Sequence, residues 1–197
     1  KNLLLTFFLL CLLPLAVFAE VTPPEPDTVK VVKPQNSVVK VTFTSAVSLA
    51  QKDTFLTQSG TYNGSLLVVH GTPLIVEVIP NEFYDFEKIM VGETAVTDNP
   101  HTITSVESDI TISSSVVRMR NLTITKPVNC TVKVSYIPSP SVSADVLEEE
   151  YTSSSAEDVV LKVKDSTPVI ITVLPNPGYA FEDLSIGGTK TTTNPST

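Results

Sequence analysis

The sequence has 197 residues, with 13 Lys and Arg against 21 Asp and Glu, and a net charge of -8. A chain this acidic, with no cluster of basic residues, is not built to hold nucleic-acid phosphates. Ser, Thr, Val and Ile are abundant, Trp is absent and strong helix formers are sparse, a composition suited to strands and turns.

Residues 1–19, KNLLLTFFLLCLLPLAVFA, read as a secretory signal peptide. Lys1 supplies the positive charge and Leu3–Leu13 the apolar run. Val17 and Ala19 are the small residues that place cleavage before Glu20. Two alternatives fit less well. Pro14 interrupts the run, and a membrane-spanning anchor wants roughly 20 apolar residues. A lipoprotein signal needs a small residue before its Cys, and Leu9-Leu10 precede Cys11. The chain is therefore expected to be exported, to the cell surface or the medium. Any membrane connection would run through this signal or an anchor outside the sequence. Loss of the signal removes Cys11 and leaves Cys130 alone, so no internal disulfide is expected. Cys130 opens an alternating strand and reads as a small buried apolar side chain rather than a reactive thiol.

Residues 20–36 carry Pro23, Pro24 and Pro26 and read as a semi-rigid linker. The first unit, residues 37–117, opens with Ser37–Thr44, where Val39, Val41 and Phe43 alternate with polar residues in the pattern of a half-buried strand. Ser45–Ser59 has no clear pattern, and AVSLAQK within it is long enough only for a helical turn. Asn63-Gly64 signals a hairpin with Ser65–Val69 as the return strand. Leu74–Ile79 is the core strand, with Leu74, Val76 and Val78 inward and Glu77 outward. Pro80-Asn81 ends it. Phe86, Ile89 and Val91, spaced three then two, predict a turn or a bulge after the Phe, followed by a strand. Gly92 and Asp98-Asn99-Pro100 mark turns. Thr102–Val106 and Asp109–Val117 close the unit, with Ile110 and Ile112 inward.

Thr72–Thr102 recurs as Thr167–Thr197, shifted by 95 residues without a gap. About half of the paired positions are identical. Chance does not produce this, and the chain reads as a two-unit array. Residues 118–128 connect the units, with room for a strand at Leu122–Thr125. Residues 129–197 form the second unit, where Val132–Tyr136 repeats Val39–Phe43. The stretch after it, including Glu148-Glu149-Glu150, is two residues longer than its match and reads as a solvated surface loop. The second unit stops before any match for the closing strands of the first. It is expected to be incomplete and to leave an unpaired strand edge. The chain, which opens without Met, is expected to be a fragment.

The motif is Gly71-Thr72, Leu74, Val76, Val78, Pro80-Asn81, Tyr84, Phe86, Val91-Gly92, Asn99-Pro100, Thr102 and Asp109–Ile112. Its second copy is Thr167, Val173, Pro175-Asn176, Gly178-Tyr179, Phe181, Gly187 and Asn194-Pro195. In order and spacing it resembles the divergent internalin B-type repeats of bacterial surface proteins. The resemblance covers most of the chain after residue 37. It implies an all-β fold of two tandem small β-grasp-like units, the second truncated at its C-terminus, and a role as spacer or adhesion module. It brings no catalytic residues. Two departures stand out. Phe83 replaces the family's Gly before the Tyr, and neither copy has the Trp that often follows the Phe.

Chemistry was sought in each residue class. His70 and His101 lack metal-ligand spacing and have Asp165 and Ser196 at the matched positions, so both read as turn residues. No nucleophile elbow or phosphate loop occurs. The carboxylate pairs Asp85/Glu87 and Glu182/Asp183 read as surface groups, and Asp98-Asn99 offers too few oxygens for calcium. No catalytic, cofactor or metal site is expected. Tyr84 and Tyr179 are the only ligand candidates, as a carbohydrate platform, and the partner expected is a surface protein or a glycan. The competing reading is an accessory carbohydrate-binding module of a longer secreted enzyme. It requires the two Tyr rings to be exposed on one side.

Overall fold

A computed structural model describes residues 25–59, 64–143, 145–154 and 157–197. The proposed signal peptide with Cys11, together with Pro23, Pro24 and Asn63, lies outside the described residues. The protein is all-β: no helix occurs among the described residues. The strands are β1 (Asp27–Val31), β2 (Ser37–Thr44), β3 (Gln51–Thr57), β4 (Gly64–Val68), β5 (Leu74–Pro80), β6 (Tyr84–Val91), β7 (Thr94–Val96) and β8 (His101–Ile103). They continue with β9 (Ile110–Ile124), β10 (Cys130–Tyr136), β11 (Leu147–Tyr151), β12 (Val159–Lys164), β13 (Ile170–Pro175), β14 (Leu184–Ile186) and β15 (Thr189–Thr191).

In the N-terminal half, one sheet has the order β4-β1-β9-β6-β7 and a second the order β3-β2-β5-β8. Period-two patterning gives each sheet one apolar face. Val29, Val31, Leu66, Val68, Ile89 and Ile112 from the first sheet pack with Val39, Val41, Phe43, Leu74, Val76 and Val78 from the second. The inward positions expected on β2 and β5 are all buried. The turn or bulge expected after Phe86 is a bulge: Phe86 pairs with Val116 and Lys88 with Ser115, leaving Glu87 as the extra residue. The C-terminal half has a β11-β10-β13 sheet and a separate β14-β15 pair. Its core gathers Ile124, Val132, Val134, Tyr136, Leu161, Val163, Ile171 and Val173.

Several expectations need correction. The stretch read as a linker contains β1, which pairs antiparallel with β4 and parallel with β9. Proline composition hid the short Val-Lys-Val alternation that buries Val29 and Val31 completely. β3 and β4 are not the hairpin partners expected from Asn63-Gly64: β3 pairs with β2 and β4 with β1. Ser45–Ser59 holds one tight turn, in which Leu49 N–H donates to Ser45 O at 2.7 Å, and then β3. Glu148–Glu150 is not a loop but part of β11, in register with Lys133, Val134 and Ser135. Cys130 is half-buried rather than buried, at the start of β10 opposite Pro175.

Residues 118–128 are only partly a connector. β9 runs unbroken for 15 residues. Its first part pairs with β1 and β6, and Met119–Ile124 pairs with β12. One strand of about 50 Å therefore closes the N-terminal half and opens the C-terminal half.

Ile112 is fully buried where β1, β6 and β9 meet, opposite both Val31 and Val91. Ile112→Ala should cost about 2–4 kcal/mol in a chemical-denaturation measurement, because the cavity lies between two packed sheets that cannot collapse onto it.

Candidate functional site

The motif residues that recur 95 positions apart carry backbone duties. Asn99 Oδ1 accepts from Val78 N at 2.8 Å, and its Nδ2 donates to Val78 O at 2.7 Å. Asn194 does the same to Val173, at 2.9 and 2.7 Å. One amide side chain thus satisfies a donor and an acceptor on the edge of β5 or β13. The bonds from Asn99 to Pro100 and Asn194 to Pro195 are both cis. Thr72 Oγ1 and Thr167 Oγ1 each cap a carbonyl three residues back, at 2.6 Å. Asn81 N–H donates to Asn36 O and Asn176 N–H to Asn129 O, tying the ends of β5 and β13, at Pro80 and Pro175, to the starts of β2 and β10. Gly92 and Gly187 turn the chain at φ of 60° and 56°.

Phe83 and its match Gly178 both have positive φ, 65° and 87°. Gly adopts this region freely, whereas a side chain there costs roughly 1–2 kcal/mol. The Phe83 ring is also exposed. Tyr84 is half-buried, with its backbone in register with Arg118 of β9, while Tyr179 is 58 % exposed. The two rings that were to form a platform therefore sit in different environments. Phe86 is buried and Phe181 half-buried, each against its own core.

A concavity of about 450 Å³ lies where the halves meet and includes Asp85, Tyr136, Ser139, Ser141, Glu149 and Lys162 in its lining. Sequence reading missed it because its walls come from β6, β9, β10, β11, β12 and residues 138–142. Burial pushes the Asp85 carboxyl up, but hydrogen bonds from Ser139 Oγ, from the Ser141 N–H and hydroxyl, and from the Phe86 N–H outweigh it and hold the group below the usual carboxylate range. Asp85 is thus the anchor of the Ser139–Ser141 turn. Glu87 adds an ion pair to Lys164 at 3.6 Å. Glu149 accepts hydrogen bonds from both Tyr136, at 2.7 Å, and Tyr151. Burial of the two phenols, reinforced by that carboxylate, pushes Tyr136 up to about 12 and raises Tyr151 as well. Asp85 thus accepts from the Ser139–Ser141 turn and Glu149 from two phenols.

His70 lies with Nδ1 3.0 Å from Asp27 Oδ2 and Nε2 3.4 Å from Glu107 Oε2, joining β1 to the segment before β9. His101 starts β8 and pairs with Val76. Among the described residues no group of three His, Cys, Asp or Glu side chains is placed to hold a metal ion. No protein-family model, curated protein or solved structure significantly matches the chain.

Two outcomes follow from this geometry. Asn99→Asp replaces the amide donor by a second acceptor facing Val78 O, and should destabilise the N-terminal half by about 1–3 kcal/mol in urea unfolding at pH 7. In an alkaline titration followed by phenolate absorbance, Tyr136 and Tyr151 should ionise in a late phase, above the ordinary range of a phenol. The contribution of Tyr136 to stability is intact below about pH 10, the pKa of an unfolded Tyr, and is lost as pH rises through about 12. Glu149→Gln should bring this late phase to lower pH without abolishing it, because burial is the larger cause.

Proposed function

We propose that this chain is a non-enzymatic, tandem-repeat segment of an exported bacterial surface or secreted protein, of β-grasp-like units, serving as a stalk or adhesion module. The observation that carries this reading is β9, a single strand belonging to the sheets of both halves. Hydrogen bonds from Ser139 and Ser141 to Asp85 and the Lys164–Glu87 ion pair brace the same junction. A strand shared by successive units resists bending at the joint, which suits a spacer that holds a distal part away from an envelope. The signal-like N-terminus, the 95-residue duplication and the use of Thr72, Asn99, Thr167 and Asn194 as backbone supports point the same way. The carbohydrate-module alternative draws only on the exposed Tyr179, since Tyr84 is half-buried.

The chain, given an initiator Met and produced in a bacterial host, should be recovered from the exported fraction, and the purified protein should scatter X-rays as an elongated particle. Its radius of gyration should clearly exceed the value of about 16 Å expected for a compact globule of this length. A compact particle, or retention in the cytoplasm, overturns the reading. Retention of a glycan column by the wild type but not by Tyr179→Ala would favour the carbohydrate module instead.

A further inference from the structure

In the β3-β2-β5-β8 sheet every second side chain turns away from the core. On that outer face Phe55, Lys40 and Glu77 form one row across β3, β2 and β5, and Asp53, Thr42 and Ile75 form the next. The Phe55 ring is 59 % exposed. Lys40 Nζ lies 6.0 Å from the ring centroid, within reach of a cation–π contact, and 3.4 Å from Asp53 Oδ2. Asp53 Oδ1 accepts from Thr42 Oγ1 at 2.6 Å. The Thr42 hydroxyl, followed by Lys40, holds the Asp53 carboxyl below the usual carboxylate range. An open aromatic ring thus stands beside three polar groups that fix one another in place.

The second unit shows what the fold requires at this position. Lys133 matches Lys40, and its cross-strand partner, at the place of Phe55, is Glu150. Lys133 Nζ lies 2.9 Å from Glu150 Oε1. A carboxylate serves the strand pair there, so strand pairing does not call for the ring. Leaving a Phe side chain in water forgoes roughly 1.5–3 kcal/mol that burial would supply. The charges around it narrow the choice of partner. Lys40 and Asp53 offset each other, Glu77 disfavours an anion, and a cation would have to compete with Lys40 for both Asp53 and the ring. A neutral ligand with an apolar face and a rim of hydroxyls meets every group. The C–H face of a pyranose stacks on a flat aromatic ring, and its hydroxyls pair with an ammonium donor and a carboxylate acceptor. Because Lys40, Thr42 and Asp53 already hold one another, little side-chain ordering is left to offset on binding.

We infer that Phe55, with Lys40, Thr42 and Asp53, is a binding site for a neutral glycan. Phe55 stacks on one pyranose, Asp53 accepts from one of its hydroxyls and Lys40 donates to another. The assignment rests on the adhesion reading and names its partner. It places the contact on the outer sheet face of the N-terminal half, apart from Tyr84 and Tyr179.

The test is a set of saturation-transfer NMR titrations of the purified chain. Cellohexaose, xylohexaose and mannohexaose are the neutral probes, and a hexamer of galacturonic acid is the anionic one. Saturable binding of at least one neutral probe is expected, tighter than that of the galacturonate hexamer. Phe55→Ala should weaken it about tenfold, Asp53→Asn about threefold, and Phe55→Tyr should retain it. The exposure of the ring should leave the urea midpoint of Phe55→Ala close to that of the wild type, which separates lost binding from lost fold. The assignment is overturned if no neutral probe binds, if Phe55→Ala binds equally well, if the galacturonate hexamer is preferred, or if binding is lost in Tyr179→Ala and kept in Phe55→Ala. A concentration-dependent dimer that Phe55→Ala abolishes would give the face to a second copy and also overturn it. An elongated particle that binds no neutral probe leaves the stalk reading standing without this site, and a compact particle that binds one does the reverse.

Discussion

The structure depends on the pairing of one strand. β9 has to satisfy the backbone donors and acceptors of β1 and β6 along its first part and of β12 along its last. A strand has no freedom to slip by one residue in one sheet while staying in place in the other, since a slip moves every side chain to the opposite face. The register that buries Ile112 in one core therefore also buries Ile124 in the next. The two halves share a backbone, and the position of one follows from the packing of the other.

The halves show how far pairing decides local structure. Tyr84–Phe86 and Tyr179–Phe181 belong to matched segments, yet only the first is strand. The difference is the neighbour that one has and the other lacks. A strand propensity is largely a preference for a pleated, half-buried surface, and where no second surface is present the preference has nothing to act on. Among the described residues, Ile186 is 38 % exposed and a cavity lies beside Leu122 and Ile124.

Several recurring polar residues of the motif are backbone supports. Asn99 and Asn194 substitute for a neighbouring strand at a single residue, and Thr72 and Thr167 close turns. This was legible as repetition but not as a role, because the carbonyl each side chain reaches is set by folding. The Asp85 junction was less legible still. Its donors, Ser139 and Ser141, are more than fifty residues away in sequence, and nothing local ties them together. The Phe83 departure from Gly, visible in the sequence, becomes physically meaningful only once its φ of 65° is known.

The sequence alone determined the all-β class, the inward faces of β2 and β5, an irregularity after Phe86 and the 95-residue duplication, because these rest on period-two burial and on local turn chemistry. Only the tertiary structure decided that β1 is a strand and not part of a spacer, that β3 and β4 lie in different sheets, and that residues 118–124 continue the strand before them. Those outcomes depend on which edges are free when distant segments meet. A chain pattern specifies what a strand will bury but not the partner whose edge it will join.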